Sequence, residues 1–179
     1  NLNYQDYAGV GMIVGAESGN SSAARILIRF DIKDIPADSQ IVSAFLSLYP
    51  SNAIGYPFTI YQVTNADWVE NSATWNKYDG VNSWSVLGGD FDSNPIDTKT
   101  PVSGTWFDFN VTDIIKGYVN GSYNPQTGFL IKASSGWYSQ VWHSEYTTQT
   151  LRPKLTITYL SDNSIPNANA GTDQNVGKE

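Results

Sequence analysis

The sequence predicts an all-β protein of short antiparallel strands with one short α-helix. Two observations carry that expectation. Short segments alternate apolar and polar side chains, and Gly, Pro, Asn and Asp punctuate them, which is the pattern of half-buried strands and tight connections. Pro36, Pro50, Pro57, Pro95, Pro101, Pro125 and Pro153 all fall between these segments or at their ends, where a missing N–H costs no ladder bond.

The elements follow in order. Arg25 to Asp31 places Ile26, Ile28 and Phe30 on one face and Arg25, Leu27 and Arg29 on the other. Ser43 to Tyr49 sets Ala44, Leu46 and Leu48 against Ser43, Phe45, Ser47 and Tyr49. Phe58 to Thr64, Thr105 to Val111, Phe129 to Ala133, Trp137 to Ser144 and Lys154 to Leu160 read as strands in the same way. The helix is an exception in period: Val111, Ile114, Ile115 and Tyr118 recur at i, i+3, i+4 and i+7. Thr112 is placed to cap its start, and Gly121 follows its end. Asn76 to Thr105 has little periodicity and reads as a long loop, a kind usually functional or metal-braced.

Composition bounds the function. With 179 residues the chain is one compact domain plus a tail, large enough to need no covalent staple. There is no Cys, so disulfides and thiolate zinc sites are excluded. A net charge of -7 and a pI near 4.5 disfavour nucleic acid and anionic lipid as partners. Only 15% of residues are charged, and Ser, Thr, Asn, Gly and Tyr supply a surface suited to neutral hydrogen bonding, as in extracellular β-proteins. No apolar run is long enough for a transmembrane helix, so membrane insertion is not expected, and no signal peptide is evident, so any such segment has been removed. Asn20-Ser21-Ser22, Asn110-Val111-Thr112 and Asn120-Gly121-Ser122 match the glycosylation triplet, which also arises by chance in so Asn- and Ser-rich a chain.

The domain is expected over residues 1–160. Residues 161–179 begin as a polar linker, and Ile165 to Val176 resembles the opening strand of a PKD domain, an immunoglobulin-like repeat, so the chain reads as a piece of a longer protein with neighbouring domains as partners. Without the rest of its own domain the tail is expected to pack poorly.

Trp68-Val69-Glu70-Asn71-Ser72-Ala73-Thr74-Trp75 is the most specific stretch: two tryptophans seven positions apart bracket an acid and a threonine. Either the rings stack on sugars, or both are core with Glu70 and Thr74 satisfying loop donors; the second reading is favoured. With Arg25-Ile26-Leu27-Ile28-Arg29-Phe30-Asp31, Ser43 to Tyr49, Tyr61-Gln62-Val63-Thr64, Trp106 to Gly117, Ser144-Glu145 and Arg152 to Tyr159, the chain resembles the DNRLRE or disaggregatase-related domain, classed with the family 96 carbohydrate-binding modules. The resemblance implies a jelly-roll-like antiparallel β-sandwich on secreted or surface proteins of bacteria and methanogenic archaea, often beside PKD repeats. It also implies handling of polysaccharide: some relatives are linked to alginate, others to archaeal disaggregatase. Such domains begin with a strand before the Asn-Tyr segment, whereas Asn3-Tyr4 stands almost at the start here.

The candidate ligand-binding residues are Arg25, Arg29, Tyr49, Lys132, Tyr138 and Trp142. Arg25 and Arg29 share an outward strand face, and Lys132 or Lys154 beside them would form a strip able to grip uronic acids by charge-assisted hydrogen bonds; a solvated face with scattered ion pairs is the plainer alternative. Trp137, Tyr138, Trp142 and Tyr146 form an aromatic run, with Tyr138 and Trp142 on one face and Trp137 on the other, one face core and the other a stacking platform. Asp90, Asp92 and Asn94 stand at i, i+2 and i+4 with Asp97 beyond, a spacing that admits a structural calcium ion, although Pro95 stands where calcium loops need Gly and no Glu closes the set. The alternative is an Asx-turn loop. His143, the one histidine, reads as a strand residue, and Glu17, Glu70 and Glu145 have no evident partner for acid–base work. The expected function is therefore non-catalytic binding of an acidic matrix or cell-envelope polysaccharide outside the cell, with a structural or adhesive spacer, or an accessory domain of a polysaccharide-degrading disaggregatase, as alternatives.

Overall fold

The structure, a computed structural model, describes residues 11–15, 23–133 and 137–161. Its elements are β1 (Met12–Gly15), β2 (Ile26–Ile28), β3 (Gln40–Leu48), β4 (Pro50–Asn52), β5 (Phe58–Gln62), β6 (Asp97–Lys99), β7 (Phe107–Asn110), α1 (Thr112–Val119), β8 (Phe129–Ala133), β9 (Tyr138–Val141), a 3-10 turn (Gln149–Leu151) and β10 (Lys154–Leu160). Residues 161–179 were expected to carry the PKD-like strand, and all but the first lie outside the described residues, as do Asn3-Tyr4 and the Asn20 triplet.

All strand pairing is antiparallel. Sheet β10-β3-β7 forms one layer and sheet β2-β8-β5-β6 the other; β1-β9-β4 is a smaller third sheet. Gly15 bridges to Ala24, just before β2, and Trp142 N–H donates to Tyr49 O, just after β3, so the third sheet links the two layers along one side. The chain alternates between layers from β2 to β3, β5, β7, β8 and β10, the interlayer crossing of a β-sandwich.

Strand periodicity places the core. From one layer Ala44, Leu46, Leu48 and Phe109 point inward, and from the other Ile26, Phe58, Ile60, Phe129 and Ile131; all are almost fully buried. Each large side chain so buried contributes about 1.5–3 kcal/mol. On α1, Ile115 and Tyr118 are buried and the Tyr118 hydroxyl bonds Thr127 Oγ1 and the Gly128 carbonyl, both at 3.1 Å.

The helix start departs from expectation. Val111 occupies the N-cap, and Thr112 is the first helical residue. Asn110 Oδ1 accepts the Thr112 N–H at 3.1 Å, while the Thr112 hydroxyl accepts the Ala44 N–H at 2.9 Å and so docks the helix on β3. A side chain that ties two elements together is not available to cap its own helix. Gly121 follows the helix as expected, at φ +78°.

Candidate functional site

The outward face of sheet β2-β8-β5-β6 carries the first candidate residues. Ile26 pairs with Ile131, so the next position outward sets Arg25 beside Lys132, as the strip reading requires. The face is not open to solvent. The chain leaves β5, returns so that Val63 bridges to Phe91, and Thr64 N–H and Asp92 N–H donate to Asp90 O and Gln62 O at 2.9 Å each. The excursion between them builds a second core from Val63, Trp68, Trp84 and Leu130, with Leu27, Tyr61, Ala73, Tyr78 and Phe91 around it.

The cations of the strip are threaded through this core. Arg25 lies 4.7 Å from the Trp75 ring and 5.4 Å from Phe91, Lys132 lies 5.2 Å from Phe91 and 5.4 Å from Tyr61, and Arg29 lies 4.4 Å from Trp68. Such contacts are worth about 0.5–2 kcal/mol each, most where water is excluded. Arg25 Nη1 also donates to Gly88 O at 3.0 Å, and Arg29 Nη1 to Trp68 O at 3.2 Å. The long segment expected as a loop is therefore braced by rings and guanidinium groups.

The tryptophan motif divides. Trp68 is core, 3% exposed, with Nε1 donating to Thr127 O at 2.7 Å. Trp75 is half-buried beneath Arg25. Thr74 Oγ1 accepts the N–H of Lys77 at 3.0 Å and of Asn76 at 3.3 Å, the loop role expected of it, whereas Glu70 is exposed.

The four residues read as a calcium set are engaged in separate local hydrogen bonds, Asp92 with Asn94 in one turn, Asp90 with Ser85 and Val86, and Asp97 in β6. Asp90 accepts Ser85 N–H and Val86 N–H, one per oxygen, at 3.0 and 2.8 Å. Asp92 Oδ1 accepts the Asn94 N–H at 2.9 Å, an Asx turn. Asp97 Oδ1 accepts Thr98 N–H at 2.7 Å, and its Oδ2 accepts Asn110 N–H at 2.8 Å and meets Lys99 Nζ at 3.2 Å. Among the described residues no three acidic, histidine or cysteine side chains converge as a metal site would need.

The aromatic run also departs from alternation. Ser139 and Val141 of β9 face the core, Tyr138 is half-buried opposite Gly15, and Trp137, ahead of the strand, is 73% exposed. Trp142 lies beyond β9 and stacks face to face on Tyr146, centroids 3.8 Å apart. His143 sits in the turn that follows rather than in a strand, with Nδ1 accepting the Glu145 N–H at 3.2 Å and standing 3.3 Å from Glu145 Oε2. The Ser144 hydroxyl bonds Glu145 Oε1, which with the contact to His143 holds the Glu145 carboxyl below its ordinary range despite some burial.

The open aromatic surface lies on the other layer. Lys154 pairs with Ser47 and Ser47 with Asp108, so these three share the outer face of β10-β3-β7 with Phe45, Asn110 and Thr156. At the end of this face Tyr49 and Trp106 meet edge to face at 5.4 Å, and the Lys154 ammonium lies 4.1 Å from the Trp106 ring. Tyr49 and Trp106 are half-buried; Lys154, Asp108, Asn110 and Phe45 are exposed. The Trp142–Tyr146 stack adjoins through the Trp142–Tyr49 backbone bond, and Arg152 Nε, at the head of β10, donates to Tyr146 O at 2.7 Å. Of the six candidate ligand residues, the structure brings Tyr49 and Trp142 to this end and puts Arg25, Arg29 and Lys132 under the excursion. Trp106 and Lys154 complete the surface. Trp106 was legible in Trp106-Phe107-Asp108-Phe109-Asn110, where it shares parity with the two polar residues.

These features define a β-sandwich module with one covered outer face and one open face that presents aromatic rings and a cation. The chain belongs to the disaggregatase related repeat family, whose domain model matches residues 3–157. No curated protein matches it.

Proposed function

We propose that this domain is a non-catalytic polysaccharide-binding module of a secreted or cell-surface, disaggregatase-type protein, and that its ligand is an acidic matrix or envelope glycan. The supporting observation is the contact of Lys154 with Trp106 beside Tyr49 on an exposed sheet face. A uronate ring laid there meets an ammonium for its carboxylate and an aromatic ring surface for its C–H face at one point. Asp108, Asn110 and Thr156, all exposed, supply partners for sugar hydroxyls around it. A shallow platform buries little of each sugar, so affinity is modest and gains from repetition. The groove beside the excursion suits catalysis poorly. It is lined by Thr64, Asn65, Asp67, Ser85, Asp90 and Phe91, and Asp90 spends both oxygens on backbone N–H groups. The test is affinity electrophoresis through gels holding acidic or neutral polysaccharides. Acidic polymer is expected to retard the wild type, and Trp106→Ala and Lys154→Gln to release it; wild-type mobility unchanged in every gel overturns the reading.

A further inference from the structure

We infer that Asp108 determines how closely spaced the carboxylates of a bound glycan can be; this rests on the open-face reading above. Trp106 stands immediately before β7 and shares parity with Asp108 within it, two residues or about 7 Å further along the extended chain. The Lys154 ammonium, at the Trp106 ring, is the positive centre of the face, and Asp108 is a negative centre one outward step away. Among the described residues Asp108 makes no hydrogen bond or ion pair, so its charge is not spent internally, in contrast to Asp97 and Asp90. The next outward residue is Asn110, which is uncharged.

A ring whose carboxylate meets Lys154 has its neighbour over Asp108. If that neighbour carries a carboxylate too, two like charges face each other across the sheet surface, and the approach is opposed. If the neighbour is uncharged, its hydroxyl or amide N–H donates to Asp108 instead, and the same residue contributes attraction. One side chain thus rejects polymers with an acid on every ring and accepts those with acids at wider intervals. This is discrimination by an unfavourable contact with the wrong ligand as much as by a favourable one with the right ligand.

The experiment compares retention of the whole chain by polymannuronate, with a carboxylate on every ring, and by hyaluronan, with one on every second ring, at low and matched ionic strength. Wild type is expected to bind hyaluronan more tightly. Asp108→Asn should raise affinity for polymannuronate by about three- to tenfold and lower that for hyaluronan by about two- to threefold, because a neutral acceptor replaces a charged one, and Asp108→Lys should reverse the preference. Asp108 is exposed, so neither variant threatens the fold, and unchanged melting curves check this. Wild type that prefers polymannuronate, or an Asp108→Asn preference equal to that of wild type, overturns the role of Asp108 while the binding surface stands. Wild type retained by neither polymer overturns both.

Discussion

The Arg29 guanidinium lies 4.4 Å from the Trp68 ring and donates to the Trp68 carbonyl at 3.2 Å. One residue follows β2 directly and the other lies at the start of the excursion, so the pair fastens the second core to the sandwich. Trp68→Ala is expected to cost about 3–5 kcal/mol, the usual loss for a buried aromatic. Arg29→Lys keeps the charge but loses the planar stack and the directed bond, and should cost about 1 kcal/mol. Urea unfolding midpoints measure both; Arg29→Lys indistinguishable from wild type would remove the pair from any structural role.

What was legible in the sequence follows from how local each signal is. The β3 and β10 strands were readable because alternation follows burial of one face, and β8 was readable as a short apolar run although it is buried on both faces, with Leu130 in the second core. The β6 strand was not: Asp97-Thr98-Lys99 has no apolar residue, and it is a strand because Phe58, Thr59 and Ile60 supply its partners. Arg25 and Arg29 were placed on one outward face by alternation, whereas the position of Lys132 beside them is set by the β2–β8 register, which no local signal carries. Their covering could not be foreseen, because it depends on Asp90–Asp92 returning to Gln62–Thr64, a pairing with no signature in either segment. The Asp90, Asp92 and Asn94 spacing fits an Asx turn as well as an ion, and backbone N–H groups occupy both Asp90 oxygens and Asp92 Oδ1.

Gly88 separates strain from crowding. Its φ is +88°, and a Cβ there would lie 2.7 Å from Arg25 Nη1 and 2.8 Å from the Trp75 ring. Gly121 has a similar φ with nothing within 4 Å. Gly121→Ala should cost about 1–2 kcal/mol for the left-handed backbone alone, and Gly88→Ala about 3 kcal/mol once overpacking is added. Equal losses in thermal or urea unfolding would contradict the close packing of Arg25 on Trp75.

Tyr118 predicts a loss of stability in alkali. Burial pushes its phenol above the ordinary value near 10, only partly offset by the bonds to Thr127 and Gly128. The folded state therefore keeps the proton that the unfolded state releases. The resulting stability is whole below about pH 10 and falls as pH rises from there through the folded pKa. Tyr118→Phe leaves two buried acceptors with fewer donors and should cost about 1–2 kcal/mol at pH 7. That difference should narrow as pH rises above about 10 in urea unfolding, and a constant difference would place the titration elsewhere.

Asp97 acts as a clip between the layers. It stands in β6 at one edge and accepts the Asn110 N–H from β7 at 2.8 Å, while Lys99 at 3.2 Å offsets its charge. Asp97→Ala strips the acceptor from a backbone donor at the seam and should cost about 1–3 kcal/mol. Asp97→Asn retains one carbonyl acceptor and should cost about half as much. Because the clip is made within the chain, both losses should be the same in excess calcium and in chelator. A wild-type melting temperature that rises with calcium, and no longer does so in Asp97→Asn, would instead make Asp97 an ion ligand.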